Sequence, residues 1–231
     1  KIRVDIAGRI VASRGFGKAA FVVISDRTGK LQAYVRKDRV GAEAYDLFVK
    51  TTEVGGTSFG VPWYVETRLV YYRTDLAKKA GITTPPTDWA GLKSMAKAMQ
   101  DKAGAKYGIG LQAGGTGSWQ SVMPFAWSAG ADLTKNGGKA YNFDSPEVLK
   151  ASQYYQSFFT DGIADKAAPA TPTTEPDFVS GRVPMFISGP WEMSAVEKLG
   201  GGAKFKDKYD VFQIPADQQS SSFVGGSNLV V

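Results

Sequence analysis

The chain has 231 residues, 43% of them hydrophobic and 12% aromatic, which is enough to build a core in one large or two small domains. It contains neither cysteine nor histidine, which excludes disulfides, the two commonest zinc ligands and every nucleophile that needs a histidine base. The formal net charge is +6, and residues 1–56 carry 11 Lys or Arg against 6 Asp or Glu, a balance that fits an anionic partner such as nucleic acid or a solvated basic face.

The first 36 residues alternate apolar and polar side chains with period two, which predicts three strands in a meander. Turn signals separate the strands, and Asp26–Lys30 is typical of a hairpin because its glycine adopts a positive φ easily. The i, i+3, i+4 spacing of apolar residues in Gly41–Lys50 predicts an amphipathic helix. The strand patterns cover Ile2–Ile6 with Arg9–Ala12, Ala20–Ile24, and Leu31–Val35.

Residues 57–231 alternate strand patterns with helix patterns of about 10 to 15 residues, which predicts a layered α/β lobe. The predicted strands are Tyr64–Tyr72, Tyr107–Gln112, Val183–Ser188, Tyr209–Ile214 and Phe223–Val231. The predicted helices are Trp89–Asp101, Trp119–Ala129, Ser145–Asp161, Pro176–Ser180 and Trp191–Leu199.

No stretch of the sequence approaches the roughly 20 apolar residues needed to cross a bilayer, so no membrane insertion is predicted. The first 50 residues lack the charged, apolar and small-residue regions of a signal peptide. These patterns leave the localisation open.

Four strings near the N-terminus resemble the OB-fold of class II lysyl-tRNA synthetase. They are Val4–Ile10, Arg14–Ala19, Ser25–Asp38 and Ala44–Phe48. The resemblance implies part of an anticodon-binding barrel, in which an aromatic residue stacks on a base while arginine and glutamine read its edges. The matching positions are Phe21, Arg14 and Gln32. Judged by the residues alone, Phe21 fits an inward-facing barrel position equally well, and Arg14 fits a solvated loop.

The family's pattern stops at Glu53, because its fourth and fifth strands and their Gly-Glu-Leu stretch do not follow. The RNA site is therefore expected to be incomplete, with at most weak binding of tRNA or other RNA. No synthetase catalytic domain is present, which excludes aminoacylation.

From Phe59 onward the chain resembles the extracellular solute-binding proteins that deliver sugars to ABC importers. The resemblance is carried by Gly60–Leu76, Gly115–Gln120, Pro124–Ala131, Phe186–Trp191 and Ser222–Asn228. It implies α/β lobes joined by crossing strands, with carbohydrate held in a cleft by aromatic faces and by polar side chains.

The resemblance implies one set of sugar-binding residues. Trp119 and Trp191 are expected to stack on the sugar, and its hydroxyls are expected to meet Tyr64, Glu66, Arg68, Gln120, Ser227 and Asn228. Other roles fit the same residues: Trp119 could simply start a helix, and Glu66 and Arg68, which alternate on one strand, could pair with each other.

The sequence therefore predicts a mixed α/β fold in two parts. Residues 1–56 form an OB-like segment of three strands and a helix, and residues 57–231 form a solute-binding lobe. Because an OB barrel needs five strands, we expect 58–65 and 223–231 to supply the fourth and fifth.

A natural solute-binding protein would carry a signal peptide and about 100 further residues before Gly60, and more chain after Val231. Their absence from the sequence indicates an engineered or computationally generated fusion without a selected activity, retaining at most weak binding of small sugars. The alternatives are weak RNA binding by the OB segment and a natural sugar-binding component of an ABC importer. No enzymatic activity, cofactor or metal is predicted, since no spacing singles out a catalytic pair among Glu66, Asp88 and Glu192.

Overall fold

The computed structural model describes residues 9–16, 19–25, 30–36, 50, 52–168 and 174–230. The chain divides into two compact units, one made of Lys1–Val65 with Gly225–Val231 and the other of Glu66–Val224. The strand pattern at Ile2–Ile6, the turn residues 26–29 and the helix predicted at Gly41–Lys50, apart from Lys50 itself, lie outside the described residues. The boundary predicted at residues 56 and 57 stays a prediction.

The first unit contains the predicted meander as a three-stranded antiparallel sheet. Its order is β1-β2-β3, and a register shift interrupts β1 between Ile10 and Ala12. The strands are β1 (Arg9–Phe16), β2 (Ala19–Ser25) and β3 (Lys30–Arg36). The meander prediction is confirmed for these strands by their antiparallel pairing.

The predicted closed barrel is not found among the residues that the structure describes. The short strands β4 (Glu53–Val54) and β5 (Thr57–Ser58) pair with each other, and β6 (Gly60–Thr67) pairs with β12 (Val224–Val230). The facing backbone groups of β6 and β12 are thus satisfied by one another. The expectation that 58–65 and 223–231 complete a barrel with the first three strands is therefore not confirmed.

The second unit is a three-layer α/β arrangement around the antiparallel sheet β10-β7-β11. Its strands are β7 (Leu69–Arg73), β10 (Met185–Ser188) and β11 (Tyr209–Phe212), with a small hairpin of β8 (Thr134–Lys135) and β9 (Ala140–Tyr141). Its helices are α1 (Thr74–Lys79), α2 (Trp89–Ala103), α3 (Trp119–Ser128), α4 (Pro146–Thr160), α5 (Glu175–Ser180), α6 (Glu192–Leu199) and α7 (Ala203–Lys206). The mixed α/β prediction is confirmed for this unit.

The sheet separates two apolar cores because successive side chains of a strand point to opposite faces. Val70 joins the larger core with residues of α2, α3 and α4. Its neighbour Tyr71 joins the smaller core, where it stacks on Phe186 with ring centroids 4.8 Å apart. The smaller core also takes Phe178, Val196 and Phe205 from α5, α6 and α7.

The strand predicted at Tyr107–Gln112 is wrong, since only a single parallel bridge forms there, between Gly110 and Phe186. The backbone N–H groups of Gly108 and Gly110 donate instead to the carbonyls of Ile163 and Met185. Gly108 lies so close to α2 that an added Cβ would be 2.1 Å from the carbonyl oxygen of Ala96. The N–H groups of Gly108 and Gly110 are therefore satisfied by carbonyls of two separate parts of the chain, and not by a continuous ladder with one strand.

Arg73, at the end of β7, is a buried charge whose guanidinium binds one carboxylate and two backbone carbonyls. Its Nε and Nη2 bind the carboxylate of Asp75 at 2.8 and 2.7 Å, and its Nη1 donates to the carbonyls of Phe178 and Val179 at 2.9 and 2.7 Å. Burial alone would raise the pKa of Asp75, but the hydrogen bonds and charge of Arg73 outweigh it and hold that pKa below its ordinary value. Arg73 thereby ties the central strand to α5.

We expect Arg73→Ala to lower the free energy of unfolding by about 2–4 kcal/mol, because buried carbonyls and a carboxylate lose their donor. Urea unfolding measures the loss. Arg182→Ala is the matched control, since its side chain is 47% exposed and lies 3.7 Å from Asp177; it should cost less than about 1 kcal/mol. Equal losses for the two variants would contradict the role given to Arg73.

Candidate functional site

Arg68 occupies the break between β6 and β7, and its backbone is held by one side chain. The Ser222 hydroxyl accepts from the Arg68 N–H at 3.1 Å and donates to the Arg68 carbonyl at 2.8 Å. Both backbone groups are therefore satisfied without a ladder partner at this position. At this break between the strands, the Arg68 side chain is the centre of a separate group of contacts.

The Arg68 guanidinium is buried, and two predicted site residues bind it. Its Nη2 donates to Oε1 of Gln120 at 2.7 Å, and its Nη1 lies 3.4 Å from Oε1 of Glu66. Burial lowers the pKa of Arg68, and the charges of Glu66 and Glu192 oppose that effect, so the group stays cationic. The alternative that Glu66 pairs with Arg68 is confirmed, and Gln120 joins the pair.

Aromatic rings enclose the same guanidinium. Its Cζ lies 4.4 Å from the Trp191 ring centroid and 5.2 Å from that of Phe223, within range of cation–π attraction. Trp119 meets Phe223 edge to face, with ring centroids 5.0 Å apart. Trp119 and Trp191 remain 45% and 47% exposed, which is unusual for two large apolar side chains in one cluster and leaves ring surface for a ligand.

Glycine at position 189 allows the Trp191 ring to lie where it does. A Cβ at Gly189 would be 2.0 Å from Cζ3 of Trp191, and the Gly189 carbonyl accepts from the Tyr71 hydroxyl at 2.7 Å. Trp191 immediately precedes α6, and its indole N–H donates to Oε1 of Glu192 at 3.1 Å. The core of the second unit thus sets the position of this aromatic side chain.

Glu192 is buried at the first position of α6, although carboxylates are rarely buried without partners. Its Oε1 also accepts from the Ser188 hydroxyl at 3.0 Å. Its Oε2 is shielded from solvent and has no hydrogen-bond partner among the residues that the structure describes. Burial raises the pKa of Glu192. The hydrogen bond from Ser188 offsets part of this rise, and the negative charge of Glu175 adds to it.

A cavity of about 180 Å³ lies within the second unit, beside these groups. Predicted site residues that line it are Arg68, Gln120 and Trp191. The other polar residues of its wall are Gln112, Ser121, Thr174, Ser188 and Glu192. Such a mixture of hydroxyl, amide, guanidinium and carboxylate groups can exchange hydrogen bonds with a polyhydroxylated ligand.

Three of the predicted sugar-binding residues belong to the other unit. Tyr64 lies in β6, and Ser227 and Asn228 lie in β12, the strand that pairs with β6. Ser227 is half-buried and Asn228 is exposed. In the second unit the described contacts join Glu66, Arg68, Gln120 and both tryptophans. The sugar-binding role of Tyr64, Ser227 and Asn228 stays a prediction.

The three predicted RNA-binding positions share one face of the β1–β3 sheet. The register pairs Arg14 with Phe21, and it pairs Gln32 with Val23, two residues along β2 from Phe21. Because side-chain positions repeat every second residue along a strand, all three positions are in phase. Their binding role stays a prediction.

Sequence patterns missed several residues around the site. No spacing singles out Glu192 from Glu66 and Asp88, and the residues next to Ser222, Phe223 and Gln112 carry no local signal for a binding role. Phe223 and Ser222 stand inside a motif that carries the family resemblance, so the motif could have pointed to them. Burial of Glu192 depends on the fold and could not be read from its neighbours.

Neither a metal centre nor a membrane helix appears in the part of the chain that the structure describes. No group of three His, Cys, Asp or Glu side chains is placed to hold a metal ion there. In the same residues no helix is both long enough and apolar enough to cross a bilayer.

Comparisons with known proteins support both resemblances. The model of the bacterial extracellular solute-binding protein family matches residues 10–231. A binding protein of Brucella abortus is 28% identical over 173 residues, which are 74% of this chain and 41% of that protein. A lysine–tRNA ligase of Enterococcus faecalis is 53% identical over 58 residues, which are 25% of this chain and 11% of the ligase.

Solved structures agree with the family match. The sugar-binding protein MalE of Xanthomonas citri has a TM-score of 0.70 and 28% identity, covering 80% of this chain and 46% of its own. An ABC transporter solute-binding protein of Thermotoga lettingae, solved with α-D-tagatose, has a TM-score of 0.67 and 29% identity, covering 80% of this chain and 48% of its own. The chain thus spans less than half the length of these relatives.

Gly189→Ala should displace the Trp191 ring, because the new methyl group would overlap it. We expect the Trp191 indole N–H signal, assigned with Trp191→Phe, to shift in a proton–nitrogen NMR spectrum as its bond to Glu192 is lost. Gly114→Ala is the control, since nothing lies within 4 Å of a Cβ added there. An unchanged Trp191 signal in Gly189→Ala would show that the ring is positioned by something else.

Proposed function

The chain belongs to the bacterial extracellular solute-binding protein family, and we propose that its Glu66–Val224 unit binds a small carbohydrate at the cavity beside Arg68. The observation that carries this proposal is the meeting of two half-exposed tryptophans with a buried arginine, a glutamine and a glutamate. Sugars present C–H faces that suit aromatic rings and hydroxyls that suit such polar groups. The sugar-binding description of the Xanthomonas citri protein supports the same class of ligand.

The comparisons favour a natural sugar-binding component of an ABC importer over an engineered fusion without a selected activity. The family model extends back to residue 10, and so covers most of the segment predicted to be a separate OB-fold piece. A protein of this kind works by reversible capture and release, so we assign no chemical step to it. Its membrane partner would be the importer that the family serves.

Binding by this chain is expected to be weak. The cavity of about 180 Å³ is smaller than the roughly 300–1,000 Å³ that encloses most of a drug-sized ligand. A ligand held by one wall keeps much of its surface in water. We therefore expect dissociation constants on the order of millimolar, near −4 kcal/mol of binding free energy.

A second candidate function is RNA binding by the β1–β3 sheet. Two observations favour it: the shared face of Arg14, Phe21 and Gln32, and the net charge of +5 on residues 1–56. An aromatic position flanked by cationic and amide positions is the arrangement that stacks and reads unpaired bases. The likeness to lysine–tRNA ligases points to the same class of ligand.

The sugar proposal is tested by titrating the chain with maltose, trehalose, glucose and α-D-tagatose, following amide shifts by NMR. We expect Trp191→Ala and Trp119→Ala each to weaken binding about tenfold, because losing roughly 60–80 Å² of apolar contact costs about 1.5–2 kcal/mol. Phe143→Ala is the matched control, an aromatic side chain that is 54% exposed and stacks on Tyr141, whereas Trp119 contacts Phe223 beside Arg68. No sugar-dependent shifts in the unsubstituted chain would exclude the proposal.

The RNA candidate is tested with a lysine-tRNA anticodon hairpin. Charge-driven binding should weaken about tenfold or more between about 50 and 200 mM salt, and Phe21→Ala should cost about 1–3 kcal/mol. Arg14→Ala should weaken binding, whereas Ser13→Ala, the neighbouring position on the opposite face, should not. Equal effects of Arg14→Ala and Ser13→Ala would rule out a face-specific site.

A further inference from the structure

Glu192 carries a carboxylate oxygen that the folded chain itself leaves unused. The residue is 8% exposed, and its Oε2 is buried without a partner among the described residues, whereas its Oε1 accepts from both Ser188 and Trp191. Leaving a buried acceptor unsatisfied costs free energy, more so for a charged group. An unsatisfied group of this kind in a native structure calls for a missing partner.

Within the part of the chain that the structure describes, no cationic side chain donates to Oε2 of Glu192. The positive charge of Arg68 acts on Glu192, but the Arg68 guanidinium binds Gln120 and Glu66 and lies over the Trp191 ring. Another carboxylate, that of Glu175, adds repulsion instead of relief. The charges around Glu192 therefore leave its Oε2 without a hydrogen-bond donor among the described residues.

The unsatisfied oxygen belongs to a residue that lines the cavity. Glu192 forms part of the wall together with Arg68, Gln120 and Trp191. Its Oε2 is shielded from solvent, so a ligand group reaches it only after a neighbouring side chain moves.

We propose that Oε2 of Glu192 accepts a hydrogen bond from a donor group of the bound carbohydrate, and that this contact makes Glu192 a specificity-determining residue of the site. The proposal rests on carbohydrate binding at the cavity. A site built to pair a ligand hydroxyl discriminates strongly against a ligand that lacks it, because the buried acceptor is then left alone. Trp191 links the two parts of the recognition, since it offers a ring face to the sugar and holds the other oxygen of Glu192.

The test compares Glu192→Gln with Glu197→Gln, the same change on the same helix. Glu197 is a matched control because its Oε1 accepts from the Tyr209 hydroxyl at 2.8 Å and the residue does not line the cavity. The probe is whichever of maltose, trehalose, glucose and α-D-tagatose the unsubstituted chain binds most tightly. We expect Glu192→Gln to weaken binding about tenfold or more and Glu197→Gln to change it less than about twofold.

Urea unfolding without sugar separates a ligand contact from structural support. If Oε2 serves the ligand, the midpoint of Glu192→Gln should match or exceed that of the unsubstituted chain, because a neutral amide avoids the cost of a buried charge. A midpoint clearly below that of Glu197→Gln would assign Glu192 a structural role and overturn the proposal.

The binding results distinguish the two levels of the proposal. Sugar binding by the unsubstituted chain, with the same affinity in Glu192→Gln, would overturn the role of Glu192 while leaving carbohydrate binding in place. Absence of binding by the unsubstituted chain to all four sugars would overturn carbohydrate binding, and the role of Glu192 with it.

Discussion

The buried guanidinium of Arg68 is the constraint around which the candidate site is arranged. A charge removed from water must be surrounded by partners, and Arg68 collects them from four separate parts of the chain. Glu66 comes from β6, Gln120 from the start of α3, Trp191 from the turn before α6, and Phe223 from the segment before β12. Arg68 thereby brings together Gln120, Trp191 and Phe223, which lie far apart in the sequence.

The sheet of the second unit fixes the other side of the same arrangement. Because β7 alternates its side chains, Val70 and Tyr71 anchor opposite cores, and the Tyr71 hydroxyl reaches the Gly189 carbonyl. That bond and the absence of a side chain at Gly189 set where Trp191 lies. The aromatic surface offered to a ligand is thus a consequence of core packing rather than of local helix formation.

The two carboxylates near Arg68, those of Glu66 and Glu192, differ in their hydrogen-bond partners. Arg68 satisfies Glu66, while one oxygen of Glu192 remains without a donor among the described residues. Sites that hold such groups give up some folding stability for recognition, a trade common to binding proteins. In the proposed site weak affinity and strong selectivity are compatible, because a ligand held by one wall keeps much of its surface in water, whereas selectivity follows the unpaired acceptor.

The sequence by itself determined the local elements and the family. Periodicity placed the meander and the main helices within a few residues, and Asp88 and Ser145 cap α2 and α4 as polar residues before an apolar-periodic run should. Short-range patterns of this kind suffice because helix and strand geometry repeats over a few residues. The motifs around Arg68 and Trp191 also identified five of the residues that meet in the second unit.

Only the tertiary structure decided how these residues meet. Arg68 and Gln120 are 52 positions apart and Arg68 and Ser222 are 154 apart, distances over which no local pattern operates. Packing against α2 leaves the strand predicted at Tyr107–Gln112 with a single bridge, and β6 pairs with β12, while the predicted barrel with β1–β3 is not confirmed among the described residues. The burial of Glu192 is also decided by the tertiary structure, because desolvation depends on every neighbour that folding brings near the residue and not on its position in the sequence.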